Sequence, residues 1–194
     1  LGHRGVVGQD DQPAAGQELT AKNEYQKVFY HKLGDPQEKD VLVYEDKTHP
    51  LRYVSAGVSE DERFLFLTLS EGTSGTEVLW KDLSKNDNRF QLLIPGFESD
   101  SYVLDNLGDK FLVQTNLHAP NAKVVLIDPK SPAEEKWTTV IPEKPEVLSG
   151  AGLAGGKLIA SYLKDANTKV YQYEPNGTLT REIVLPALGT AGGF

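Results

Sequence analysis

Three runs of β-favouring residues recur at a fixed interval: RFLFLTL from Arg63, KFLVQTN from Lys110 and KLIASYL from Lys157 begin 47 residues apart each time. Each follows a polar or glycine turn, SEDE, NLGD and LAGG. A second run recurs 46 residues apart as VLWKD from Val78, VVLID from Val124 and VYQYE from Val170, and a third closes on Pro95, Pro142 and Pro186 as LLIP, TVIP and IVLP. The runs RYVSAGV, SYVLDNL and VLSGAGL precede the Arg63-type strands and complete units of four antiparallel strands, a to d. A four-strand unit repeated every 46 or so residues is the period of a β-propeller blade.

The predicted fold class is therefore all-β, a partial β-propeller with about three complete four-stranded antiparallel blades, near residues 51–96, 97–143 and 144–187. A half blade near residues 18–50 comes before them, because QKVFYHK and DVLVYE supply a c and d pair; a stub at 188–194, ALGTAGGF, begins another a strand. Residues 1–17 are rich in Gly, Gln, Asp and Pro and read as a loop or tail. An open stack of blades leaves apolar faces bare at its two ends, so self-association through those faces is expected.

Composition removes several function classes. Twenty-eight acidic against 20 basic residues give a net charge of −8, which argues against nucleic acid or an anionic membrane as partner. With no cysteine, disulfides and thiolate metal sites are excluded. No methionine occurs, and the chain is expected to be a piece of a longer protein. No apolar run approaches the roughly 20 residues that span a bilayer, so a soluble chain is expected, with cytoplasm and periplasm both open.

GAGLAGGK, from Gly150 to Lys157, spells GxGxxG and ends like a phosphate-binding loop. A dinucleotide fingerprint must follow a strand and open a helix, whereas these glycines precede KLIASYL, a strand by its place in the repeat. The acidic residue expected about 20 positions later would be Glu174, yet Asp82 and Asp128 hold the same repeat position in blades without the glycines. Leu158 stands where a P-loop needs Ser or Thr. The stretch reads as a turn between strands a and b, and no cofactor is expected.

Other motifs reduce to turns in the same way. Gly72 to Thr76, GTSGT, falls one residue short of a nucleophile elbow and leads into a strand. His3, His31, His49 and His118 lack zinc-site spacing, Glu60-Asp61-Glu62 lacks the ladder of a calcium loop, and no metal site is expected. Asn176-Gly177-Thr178 is a formal glycosylation acceptor, but NG between strands c and d reads first as a type I′ hairpin turn. No nucleophile, base and oxyanion hole assemble, so no catalytic residue is assigned. Because strands reverse at each turn, the b to c turns and the d to a crossings share one end of the blades, and the a to b turns the other.

YQKVFYHKLGDPQEKDVLVYE, HPLRYVSAGVSEDERFLFLTLSEGT, TNLHAPNAKVVLIDP, EEKWTTVIPE and VLSGAGLAGGKLIASYLKDANTKVYQY resemble the propeller domain of the prolyl oligopeptidase family of serine peptidases. The resemblance runs from about Glu18 to Phe194. It implies the middle blades of a seven-bladed propeller capping an α/β-hydrolase catalytic domain of the parent chain, which carries the Ser, Asp and His triad. The implied role is a non-catalytic one, gating access of short proline-containing peptides. It places Thr115, Asn116, Leu117 and His118 on a turn facing the substrate chamber. The third position of TNLHAPNAK is often basic in that family; here it is Leu117, which carries no charge for a substrate contact, and His118 or Lys123 is the alternative source of one, against the default expectation that each faces solvent. The alternative is a stand-alone propeller scaffold for protein or peptide binding.

Overall fold

The computed structural model describes residues 4–9, 24–85, 87 and 89–192. Among the described residues, 15 strands and two short 3-10 turns, Gln37–Lys39 and Glu134–Lys136, are the regular elements, and no helix is long and apolar enough to cross a membrane. The strands form four antiparallel sheets, three of four strands and one of three, giving an all-β partial propeller. The chain divides into two compact units, Leu1–Phe97 and Glu98–Phe194.

The first unit holds β1 (Arg4–Gln9), β2 (Lys27–Lys32) and β3 (Val41–Glu45) in one sheet. A second sheet follows in sequence order: β4 (Tyr53–Val58), β5 (Phe64–Ser70), β6 (Glu77–Asp82) and β7 (Gln91–Ile94). The β1 strand departs from the sequence expectation of a loop. Its backbone pairs antiparallel with β2 from Arg4 opposite Lys32 to Gln9 opposite Lys27, so the first sheet has three strands rather than two. RGVVGQ carries only Val6 and Val7 as apolar signal, too little to stand out as a strand without its partner. Residues 1–3 and 10–23 lie outside the described residues.

Phe64, Leu65, Phe66 and Leu67 are all buried in β5. A strand covered on both faces reads as a continuous apolar run rather than an alternation, which is why RFLFLTL stood out. Val28 of β2 packs with Val54, Leu67 and Leu69 to form the core between the two sheets of this unit.

The second unit holds β8 (Ser101–Leu107), β9 (Lys110–Thr115), β10 (Lys123–Ile127) and β11 (Thr138–Ile141), then β12 (Val147–Ala154), β13 (Lys157–Lys164), β14 (Asn167–Tyr173) and β15 (Leu179–Ile183). Leu112, Val124, Val140 and Ile141 from one sheet meet Leu148, Leu158, Ala160, Tyr162 and Tyr173 from the other. Each fully buried Leu or Val contributes roughly 1.5–3 kcal/mol relative to exposure. The last d strand is β15, ahead of the expected IVLP, because a tight turn after Glu174 starts the pairing early and sets Ile183 opposite Val170. Val184 and Leu188 are then left 85% and 88% exposed. No strand forms over the described part of ALGTAGGF, although Gly189 O accepts from Thr168 N.

GAGLAGGK spans the end of β12, the turn after it and the first residue of β13. Gly155 and Gly156 have φ of +56° and +72°, and Ala154 pairs with Lys157. Two successive left-handed residues make the type I′ geometry that closes a two-residue hairpin. Lys157 Nζ donates to both oxygens of Glu174 at 2.7 and 2.8 Å. The NG turn differs from the type I′ expectation. Only Gly177 has positive φ (+87°), its N–H donates to Glu174 O, and Glu174 N donates to Thr178 O. This is a three-residue loop with glycine at the left-handed position, and a Cβ at Gly177 would lie 1.9 Å from Val140 O.

Candidate functional site

In each four-stranded sheet the turn between strands b and c is bonded to the crossings that enter or leave that sheet. Asn116 N donates to Asp100 O, Leu148 N to Asn121 O and Thr168 N to Gly189 O. Arg52 Nε donates to Glu71 Oε1 at 2.6 Å, and Gly96 N to Glu77 Oε2 at 3.3 Å. These ties put b to c turns and crossings at the same ends of their sheets, which antiparallel reversal dictates.

The turn singled out by sequence joins β9 to β10. Thr115 is fully buried, and its Oγ1 lies 2.8 Å from Ser101 Oγ and accepts Leu117 N at 3.1 Å. Ser101 Oγ in turn lies 3.1 Å from the buried Ser99 Oγ. Asn116 is committed as well: its Oδ1 accepts Asp100 N at 2.7 Å, and its Nδ2 donates to Asp100 Oδ2 at 3.0 Å. Both side chains therefore hold the turn to the incoming crossing. Leu117, half-buried, and His118, exposed, are left at the tip.

His118 sits at φ +51°, and its Nδ1 lies 2.9 Å from Glu134 Oε1 in the loop between β10 and β11. Asn121 ties the far side of the turn to the outgoing crossing. Its backbone N donates to Glu143 Oε1 at 2.7 Å, and its Nδ2 donates to the carbonyls of Lys144 and Pro145 at 3.0 and 3.1 Å. Asp100 and Asn121 were missed by sequence reasoning. Their signal was only that of polar turn formers, which do the same backbone capping in any loop.

The corresponding turn of the first unit is held differently. Arg52, at the foot of β4, bonds Glu71 and Asp46 and places its guanidinium carbon 5.1 Å from the Phe97 ring centroid. Burial alone raises the Asp46 pKa, but hydrogen bonds from the hydroxyl and amide of Thr48, and from His49, outweigh it and hold the carboxyl well below its usual range. The three described histidines, His31, His49 and His118, each lie within 3 Å of a carboxylate oxygen, on Asp40, Asp46 and Glu134. His3 lies outside the described residues.

Four-stranded antiparallel sheets of fixed period have a counterpart among known proteins. The family model for "Prolyl oligopeptidase, N-terminal beta-propeller domain" matches residues 7–194. The chain belongs to the prolyl oligopeptidase family. It is 40% identical over 184 residues to the prolyl endopeptidase of Elizabethkingia miricola and 39% identical to that of Elizabethkingia meningoseptica, covering 95% of this chain and 26% of each relative. The chain thus spans about a quarter of the length of these curated relatives. Among solved structures, a prolyl endopeptidase studied for inter-domain dynamics in catalysis and specificity matches with a TM-score of 0.77 at 32% identity, over 85% of this chain and 24% of that one. Prolyl oligopeptidase B from Galerina marginata, bound to a 25mer macrocyclization substrate, shares the fold with a TM-score of 0.85 at 24% identity, over 95% of this chain and 26% of that one. Family membership makes this segment part of the propeller domain of prolyl oligopeptidase-like peptidases.

Proposed function

We propose that this chain forms the propeller wall of a longer serine peptidase, with the 115–118 turn facing the chamber above an α/β-hydrolase domain. The wall admits short proline-containing peptides and excludes folded proteins. The observation that carries this reading is the build of the turn: Thr115 and Asn116 are spent on Ser101 and Asp100, leaving an aliphatic and an imidazole side chain at a braced tip. Size exclusion needs a stiff, narrow opening and no reactive group of its own. The substrate class is taken from the Elizabethkingia relatives, which are prolyl endopeptidases. The catalytic triad belongs, in this reading, to the hydrolase domain. Exposed apolar residues such as Val184 and Leu188 support self-association of the chain when it is separated from its partner domain.

The test uses the full-length peptidase and a series of proline-containing peptides of increasing length. Leu117→Trp narrows the opening, so kcat/KM falls several-fold for the longest peptides and stays unchanged for the shortest. An equal change at every length overturns the chamber role. The separated 194-residue chain is expected to hydrolyse none of these peptides, and saturable hydrolysis by it overturns the division of labour.

A further inference from the structure

Lys144 lies on the crossing between β11 and β12, inside a cluster of three tyrosines from β13 and β14. Its Nζ is 4.5 Å from the Tyr162 ring centroid, 4.4 Å from that of Tyr171 and 5.4 Å from that of Tyr173, and it donates a hydrogen bond of 2.7 Å to the Tyr173 hydroxyl. Tyr162 and Tyr171 meet edge to face at 5.7 Å. Tyr162 is 1% exposed. Burial, with the neighbouring Tyr173 phenol, pushes its hydroxyl far above the usual tyrosine range, although the two hydroxyls do not meet in good hydrogen-bond geometry. The ring stays neutral and offers its π face to the half-buried ammonium, which the ring quadrupole attracts.

The backbone of the same residue points the other way. Lys144 O and Pro145 O both accept from Asn121 Nδ2, Glu143 Oε1 accepts from Asn121 N, and Asn121 O accepts from Leu148 N. One crossing thus joins the tyrosine cluster of the last sheet to the turn that carries Leu117 and His118. Lys144, on the crossing, places its Nζ against rings that β13 and β14 supply.

We infer that Lys144 is a positioning residue: its ammonium, held by Tyr162, Tyr171 and Tyr173, pins the 143–148 crossing, and through Asn121 sets the position of the 115–122 turn. The clamp itself stands on this geometry alone. Its consequence for peptide selection rests on the proposed chamber role of the turn.

The experiment is amide hydrogen exchange on the full-length protein, paired with the peptide-length series. Lys144→Met keeps the apolar stem and removes the charge. It speeds exchange at Asn121, Ala119 and Ala122 by roughly tenfold, as the loss of a half-buried cation–π contact gives, and leaves the β9 and β13 amides unchanged. Lys144→Arg restores protection because it restores the cation. Asn121→Ala, which leaves the cluster intact, opens the same turn amides and keeps the clamp testable if Lys144→Met folds poorly. Unchanged exchange at these amides in Lys144→Met, or equal acceleration throughout the unit, overturns the clamp; if Lys144→Met does not fold, unchanged exchange in Asn121→Ala overturns it. If the turn amides open and the ratio of kcat/KM between long and short peptides shifts, both readings stand. If the amides open and that ratio holds, the clamp stands and the chamber role of the turn falls.

Discussion

The two units solve one mechanical problem with different chemistry. Each must tie a turn between strands b and c to the neighbouring crossings. In the first unit the tie is ionic: Arg52, 18% exposed at its side chain, sits between Asp46, Glu71 and the face of Phe97. In the second, the 115–122 turn is held by a buried hydroxyl chain, Ser99, Ser101 and Thr115, by the Asn116–Asp100 pair and by Asn121. Hydroxyl and amide bonds to backbone have fixed geometry and short reach, whereas a guanidinium spans farther and depends on screening. The difference makes the Arg52 tie of the first unit responsive to salt and acid, and the buried hydroxyl chain at Thr115 in the second indifferent to both.

The largest effect is expected where the first unit's turn touches its outgoing crossing. Gly75 has φ +85°, and a Cβ there would lie 1.9 Å from Phe97 O. Gly75→Ala therefore costs about 3 kcal/mol or more, the sum of a left-handed alanine and a backbone clash, read from urea denaturation. Next comes Thr115→Val, which keeps shape but strips the hydroxyl from a fully buried site. Removing the acceptor of Leu117 N and one of the partners of Ser101 Oγ costs about 1–3 kcal/mol, and the loss should be the same at low and high salt. Arg52→Met follows, at about 1–2 kcal/mol from the cation–π contact and the partly buried ion pairs. Its cost should shrink as salt rises, and a loss independent of salt would break the contrast between the units.

Acid sharpens the same comparison. The folded Asp46 carboxyl has a depressed pKa, so its stabilisation is full above the unfolded value near about 3.9 and is lost as pH falls below it. Thr48 and His49 amides, which both donate to Asp46 Oδ1, should lose exchange protection as pH is lowered through that window. The Leu117 amide, bonded to a hydroxyl that does not titrate there, should keep its protection. The smallest effect is a gain. Asp165 and Ala166, exposed between β13 and β14, have φ of +48° and +61°, and Ala166→Gly relieves a left-handed alanine for a net of about 0.5–1 kcal/mol.

Much of the architecture was legible in the chain because its causes are local. RFLFLTL, KFLVQTN and KLIASYL each announce a strand by composition, and the pairs Gly155-Gly156 and Asp165-Ala166 close hairpins whose conformation depends on two residues at a time. The candidate site was legible only as a location. Thr115 and Asn116 read as residues of a turn facing the substrate chamber, and their partners, Ser101 and Asp100, lie 14 and 16 residues away across a strand pair. Nothing in TNLHAPNAK distinguishes a hydroxyl that faces a chamber from one that braces the turn from within.

What the sequence determined by itself is the repeat, the strands of the three full blades apart from the end of the last, the turn positions and the family, since alternation and glycine placement act over a few residues. What only the tertiary structure decided is which polar side chains are spent on holding the fold. Arg52 on Phe97, Lys144 among three tyrosines, Gly177 against Val140 and β1 beside β2 all depend on segments brought together by packing. The physical reason is that hydrogen bonds and cation–π contacts gain their strength from exclusion of water, and water is excluded only once neighbouring sheets have met.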